Sequence, residues 1–154
     1  MVSLADVERA QREWGDGIVD ISKAYFDGSD YVSVATEYVS TLYGYQLGPV
    51  LFKPTLATLN QFRTTFDMAL SYFIASNKAC PEDKGFAIKD WAKVRFENSN
   101  VIIDENRALA MGNYFFTDSQ GSELKVEYTF GYIEDEDQNL RIQLHHSSLP
   151  ANVE

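Results

Sequence analysis

The stretch that decides the fold is Leu140-Arg-Ile-Gln-Leu-His-His-Ser-Ser-Leu-Pro150. Leu140, Ile142 and Leu144 alternate with Arg141, Gln143 and His145, the period-two pattern of a β-strand. Pro150 ends it. Both histidines of the chain lie here, side by side. Neighbouring strand residues point to opposite faces, so the alternation assigns His146 and Ser148 to the apolar face. A face that changes from aliphatic residues to His and Ser is one that lines a pocket.

Upstream of this strand the same alternation recurs. It predicts strands over 87–97, 101–104, 108–117 and 123–133, ahead of the last one over 140–148. Asp118-Ser-Gln-Gly121 is a turn-rich link between two long strands and predicts a hairpin. Glu134-Asp-Glu-Asp-Gln-Asn139 makes the next turn. The first half has the other period. Leu4, Val7, Ala10, Trp14, Ile18, Ile21 and Tyr25 recur at three- and four-residue steps, and Ser3 followed by Asp6 supplies a helix cap. Tyr31 to Leu42 gives a second helix, ended by Gly44. Leu59, Phe62, Phe66, Ala69 and Phe73 give a third. Helices first and antiparallel strands afterwards predict an α+β domain over 1–154, with helices packed on one face of a curved sheet.

Composition narrows the function. A net charge of −10 argues against a nucleic-acid backbone or an anionic membrane as partner. A single cysteine rules out an internal disulfide. No apolar run is long enough for a membrane helix. The first residues lack the basic and apolar regions of a signal peptide, so the chain as it stands reads as cytoplasmic. A plastid location would follow if a transit peptide had been removed.

Metal ligands are few. A three-histidine zinc site needs more histidines than the two present, and neighbours on a strand diverge. A carboxylate site for manganese or magnesium stays open. The acidic run 134–137 lacks the ligand spacing and central glycine of a calcium loop. Thr55, Tyr72, Tyr114, Tyr128, Ser147 and Ser148 are the hydroxyls able to line a pocket between helices and sheet. No Gly-x-Ser-x-Gly elbow or Ser-His-Asp order is recognisable. His145 and His146 read equally as hydrogen-bonded strand residues and as groups that move protons near neutral pH. Arg63 falls off the apolar stripe of the third helix and reads as a surface or interface residue. Cys80 reads as a passive thiol in a loop.

Several segments together carry a resemblance. The order of elements resembles the nuclear-transport-factor-2-like (SnoaL-like) cone-shaped fold. Val50-Leu-Phe-Lys-Pro-Thr55 and the His-His-Ser-Ser ending resemble the association domain of calcium/calmodulin-dependent kinase II. Ala79-Cys-Pro-Glu-Asp-Lys-Gly-Phe-Ala-Ile88, Lys93-Val-Arg-Phe-Glu-Asn98, Ala108-Leu-Ala-Met-Gly-Asn-Tyr114 and Val126-Glu-Tyr-Thr-Phe-Gly-Tyr132 are similar to the iota-class carbonic anhydrases, over about residues 7–150.

That resemblance implies reversible hydration of carbon dioxide to bicarbonate inside the cone, with no cofactor. Strands too long and apolar to leave both faces wet predict a homodimer through the sheet. The low histidine count points to the metal-free branch. The resemblance carries Thr55, Tyr72 and Ser148 over as catalytic hydroxyls, with Ser147 as the one-residue alternative. Tyr114, Tyr128, His146 and Ser147 join them as substrate-binding residues. The chain departs from the family pattern at Thr64, where proline is expected, and at Leu144, where a third histidine is common. Two other readings compete: a non-catalytic association module and a SnoaL-like isomerase or cyclase. The latter needs an acid–base pair that no pocket face supplies.

Overall fold

The capping box at Ser3 opens the chain. Its hydroxyl accepts from the Asp6 N–H while Asp6 accepts from the Ser3 N–H, and helix α1 then runs over Leu4–Phe26. In this computed structural model, which describes residues 1–153, α2 (Tyr31–Leu42), β1 (Leu51–Lys53) and α3 (Phe66–Ile74) follow. A 3-10 turn (Phe86–Ile88) leads into β2 (Trp91–Ile103), β3 (Arg107–Asp118), β4 (Glu123–Glu134) and β5 (Leu140–Ser148). The sheet order is β1-β5-β4-β3-β2.

Three helices on one sheet is the α+β arrangement read from the sequence. The sheet differs in one respect: it is mixed. β2 to β5 are antiparallel neighbours, but β1 pairs parallel with β5, Phe52 opposite His145. β1 is three residues long, too short for alternation to reveal it. The strands expected over 87–97 and 101–104 are one strand, β2, interrupted by a bulge at Ser99 between the Asn98–Gly112 and Asn100–Met111 pairs. The crowding there explains Gly112, since a Cβ at that position would sit 2.1 Å from the Glu97 carbonyl oxygen. The third helix starts at Phe66, later than its apolar stripe implied, because the Thr65 hydroxyl caps it by accepting from the Met68 N–H.

A second bulge decides the site. Tyr132 pairs with Ile142, yet the next residue, Gly131, pairs with Leu144, so Gln143 is an extra residue on β5. An extra residue shifts every later side chain to the opposite face. Ile142 faces the core as expected; beyond it, His145 and Ser147 are buried while His146 is exposed. The face assigned to His146 and Ser148 is therefore corrected: that assignment assumed an unbroken alternation.

The core lies between the helices and the inner sheet face. Trp14, Ile18 and Ile21 of α1 and Tyr38 and Val39 of α2 meet Tyr114, Phe116, Tyr128 and Phe130 of the sheet.

Candidate active site

His145 occupies the centre of the buried face. Its ring is stacked between Phe130, 4.0 Å away centroid to centroid, and Phe52, at 4.9 Å. Both ring nitrogens are in hydrogen bonds. Nδ1 is 2.8 Å from the Tyr43 hydroxyl and Nε2 is 3.0 Å from the Tyr114 hydroxyl. Burial holds the imidazole well below its usual pKa, with the charge of His146 acting the same way, so the ring is neutral near pH 7.

From this ring a chain of hydroxyls runs outward. The Tyr114 hydroxyl lies 2.5 Å from Ser147 Oγ, and Ser147 Oγ lies 2.6 Å from Thr55 Oγ1. Ser147 Oγ can also donate to the Glu127 carbonyl at 3.2 Å. On the other side, Trp14 Nε1–H donates to Tyr43 at 3.0 Å. Six side chains from α1, the α2 end, the sheet and the 54–65 loop thus share one line of hydrogen bonds. Tyr72 arrives from α3: its hydroxyl oxygen accepts from the Leu56 N–H at 3.3 Å, and its ring stacks on Phe86. Burial pushes the phenols of Tyr72 and Tyr114 up, above any physiological pH; hydrogen bonds from Leu56 and Thr55 oppose this at Tyr72, and from Ser147 at Tyr114. All these hydroxyls keep their protons and remain donors.

Two cationic features frame the cluster. The Lys53 ammonium reaches the Thr55 and Ser147 carbonyls, both at 3.5 Å, and partial burial lowers its pKa. Arg63, expected at the surface, is 0% exposed. It is paired with Asp83 by bonds of 2.6 and 2.7 Å and donates to the Asn60 and Met68 carbonyls. Sequence alone hides this, because the partner that makes its burial tolerable lies 20 residues away. Glu82 completes the anchor by accepting from the N–H groups of Thr58, Leu59 and Asn60. Those bonds draw its carboxyl below the usual range. The Thr55 loop is held from beneath on buried or committed charges. A cavity of about 220 Å³ adjoins it, lined by Leu56, Tyr72 and Phe86 with Lys84 and Lys89 as well as the committed carboxylates Glu82 and Asp83.

The structure therefore brings Thr55, Tyr114 and Ser147 together, with Tyr72 at the same loop. It does not bring the others. Ser148 points outward and donates to Glu127 at 3.0 Å. His146 is exposed. Tyr128 donates to Asn98, itself bonded to Gln11, and burial pushes its phenol up to about 12. His145 and Tyr43 are the members the expected set lacked. Cys80 is buried, and burial raises its thiol pKa. Among the described residues no three His, Cys, Asp or Glu side chains gather as a metal site.

Comparison with known proteins follows the geometry. Residues 5–149 match the family described as metal-independent carbonic anhydrase. A metal-independent carbonic anhydrase of Nostoc sp. is 45% identical over 153 residues, covering 97% of this chain and 74% of that protein. The crystal structure of an iota-carbonic anhydrase from a cyanobacterium, complexed with bicarbonate, superposes with a TM-score of 0.96 at 42% identity, over 99% of this chain and 94% of the other. An NTF2-like protein of unknown function from Pseudomonas putida shares the fold, with a TM-score of 0.58 at 12% identity, over 97% and 88% of the two chains.

Proposed function

The chain belongs to the family of metal-independent carbonic anhydrases, and from that premise we propose that it hydrates carbon dioxide at the Thr55–Ser147–Tyr114 cluster with Tyr72 as a further donor. The reaction is CO₂ + H₂O → HCO₃⁻ + H⁺. The water oxygen bonds to carbon, one C–O π pair moves onto oxygen, and the water loses a proton to solvent. The observation that carries the site is the convergence of Thr55 and Ser147 hydroxyls at 2.6 Å from two distant elements. Fixed hydroxyl donors stabilise charge as it develops on the carbon dioxide oxygens and need no reorganisation when it does. Holding water and substrate together supplies the rest through orientation. Lys53 adds a positive charge beside the same carbonyls. The cavity at Tyr72 is the route for water and bicarbonate.

A stopped-flow hydration assay tests this. Tyr72→Phe keeps the ring and removes one donor, so turnover is expected to fall roughly a hundredfold with little change in melting temperature. Thr55→Val is expected to do the same. Wild-type rates in both variants would overturn the site. Activity is expected to survive dialysis against a strong chelator; loss on chelation with recovery on adding manganese or zinc would overturn the metal-free mechanism.

We further propose a homodimer through the outer sheet face. Leu51 and Ile102 are 65% and 63% exposed there, and with Pro49, Leu109 and Leu144 they rim a mostly apolar hollow of about 440 Å³; Met111 is exposed on the same strand as Leu109. A monomeric mass by light scattering at micromolar concentration would refute the dimer. Among the described residues no helix is long and apolar enough to cross a membrane.

A further inference from the structure

Resting on that reading of the site, we propose that His145 is a positioning residue: as its Nε2–H tautomer it turns the Tyr114 proton toward Ser147, and so leaves the Thr55 hydroxyl able to donate to the substrate. The argument is a count of donors and acceptors. An indole N–H can only donate, so the Tyr43 oxygen accepts from Trp14. Tyr43 has one proton of its own to place. If His145 Nδ1 is bare, Tyr43 donates to it at 2.8 Å and every proton has an acceptor. If Nδ1 carries the proton, Tyr43 accepts twice, and its own proton is left without a partner in a residue that is 0% exposed. A buried unpaired donor is disfavoured, so the bare Nδ1 wins and the ring proton sits on Nε2.

The tautomer then propagates. Nε2–H donates to the Tyr114 oxygen, Tyr114 donates to Ser147, and Ser147 donates onward to Thr55 or the Glu127 carbonyl. When Ser147 donates to Thr55, the Thr55 proton is free for a substrate oxygen; the Glu127 carbonyl holds the Ser147 proton when Thr55 turns back. In the other tautomer each bond reverses: Tyr114 donates to Nε2, Ser147 to Tyr114 and Thr55 to Ser147. The terminal hydroxyl would then offer a lone pair where negative charge develops. One buried ring thus decides whether the Thr55 proton can face outward at all. Because Nε2 already holds a proton, His145 does not take the water's proton through Tyr114; it orients.

Long-range ¹H–¹⁵N spectra of the imidazole rings read the tautomer directly in the wild-type chain. There are two histidines, and His146→Gln identifies the ring that remains. The expected result for His145 is a protonated Nε2 and a bare Nδ1 at neutral pH. A protonated Nδ1, or an imidazolium, overturns the proposal. Two substitutions then separate orientation from packing. The glutamine amide nitrogen reaches the place of Nε2 and the asparagine amide only that of Nδ1. His145→Gln is expected to keep kcat within roughly fivefold and His145→Asn to lose about fiftyfold, in the range of a misdirected donor. Equal losses in two variants with matching melting temperatures overturn the positioning role. If the wild type shows no hydration, the reading of the site fails, while the spectrum still decides the direction of the chain.

Discussion

The two faces of β5 hold the same chemistry and have opposite fates. Inward, His145 and Ser147 are 2% and 1% exposed and share one hydrogen-bonded chain. Outward, His146 is exposed, and Ser148 bonds only Glu127 across the strand pair. The residues are adjacent and identical in type. What separates them is the extra residue Gln143, which turns the alternation over. A histidine or serine becomes part of a site through what it packs against, and here a single bulge sets that packing.

The widest gap between inside and outside is expected for ion pairs. Asp83 is the partner of the buried Arg63 and also accepts from Ser71 at 2.6 Å. Asp83→Ala leaves the buried guanidinium with only the more distant Glu82 carboxylate, at 4.0 Å, and is expected to destabilise by about 3 kcal/mol, a loss of roughly 10 °C in melting temperature for a chain of this size. The exposed Arg95–Glu97 pair on β2 is the control. Glu97→Ala should change stability by less than about 1 kcal/mol. Equal shifts measured by thermal melts would break the contrast.

Next in size is the serine pair, read as activity. Ser147→Ala removes the hydroxyl that links Tyr114 to Thr55, and turnover should fall about a hundredfold, equivalent to roughly 2.7 kcal/mol of transition-state stabilisation. Ser148→Ala should stay within about twofold, as an exposed contact outside the cluster. If Ser148→Ala proves the damaging one, the bulge is misplaced and the sequence alternation was right.

That reversal marks what the sequence could and could not carry. Ser3 and Asp6 announced the α1 cap, and Asp118 to Gly121 announced the β3–β4 turn, because both act within a few residues. Thr55, Tyr72 and Tyr114 were reached partly through family resemblance, since nothing local marks a hydroxyl as facing a loop from another element. The bulge had one trace: Gly131. Glycine inside a strand marks a bulge or a close backbone approach, and a Cβ there would lie 2.9 Å from Leu144 Cβ. Read together with the alternation of β5, that glycine would have moved Ser147 inside. The same glycine would have moved His145 inside with it. Arg63 had no such trace, because its burial depends on a partner from a distant segment.

The smallest predicted effect is the pH dependence of stability, and it sharpens the histidine half of the comparison. Burial first, and the charge of His146 second, hold His145 well below 6.5 in the folded chain. In the unfolded chain its pKa returns to about 6.5. Above that pH both states are neutral at this ring and it contributes no slope. As the pH falls below 6.5 the unfolded chain binds a proton that the folded chain refuses, so stability falls with acidity, by at most about 1.4 kcal/mol per pH unit. The window to measure is pH 5.5–6.5, ahead of the carboxylates, whose own lowered values act at lower pH with the same sign. Chemical denaturation across that window should show the slope in the wild type and in His146→Gln. His145→Gln should be flatter while starting from a lower stability. If removing His146 rather than His145 abolished the slope, the titrating ring would be the outer one, and the buried neutral imidazole at the head of the hydroxyl chain would have to be abandoned.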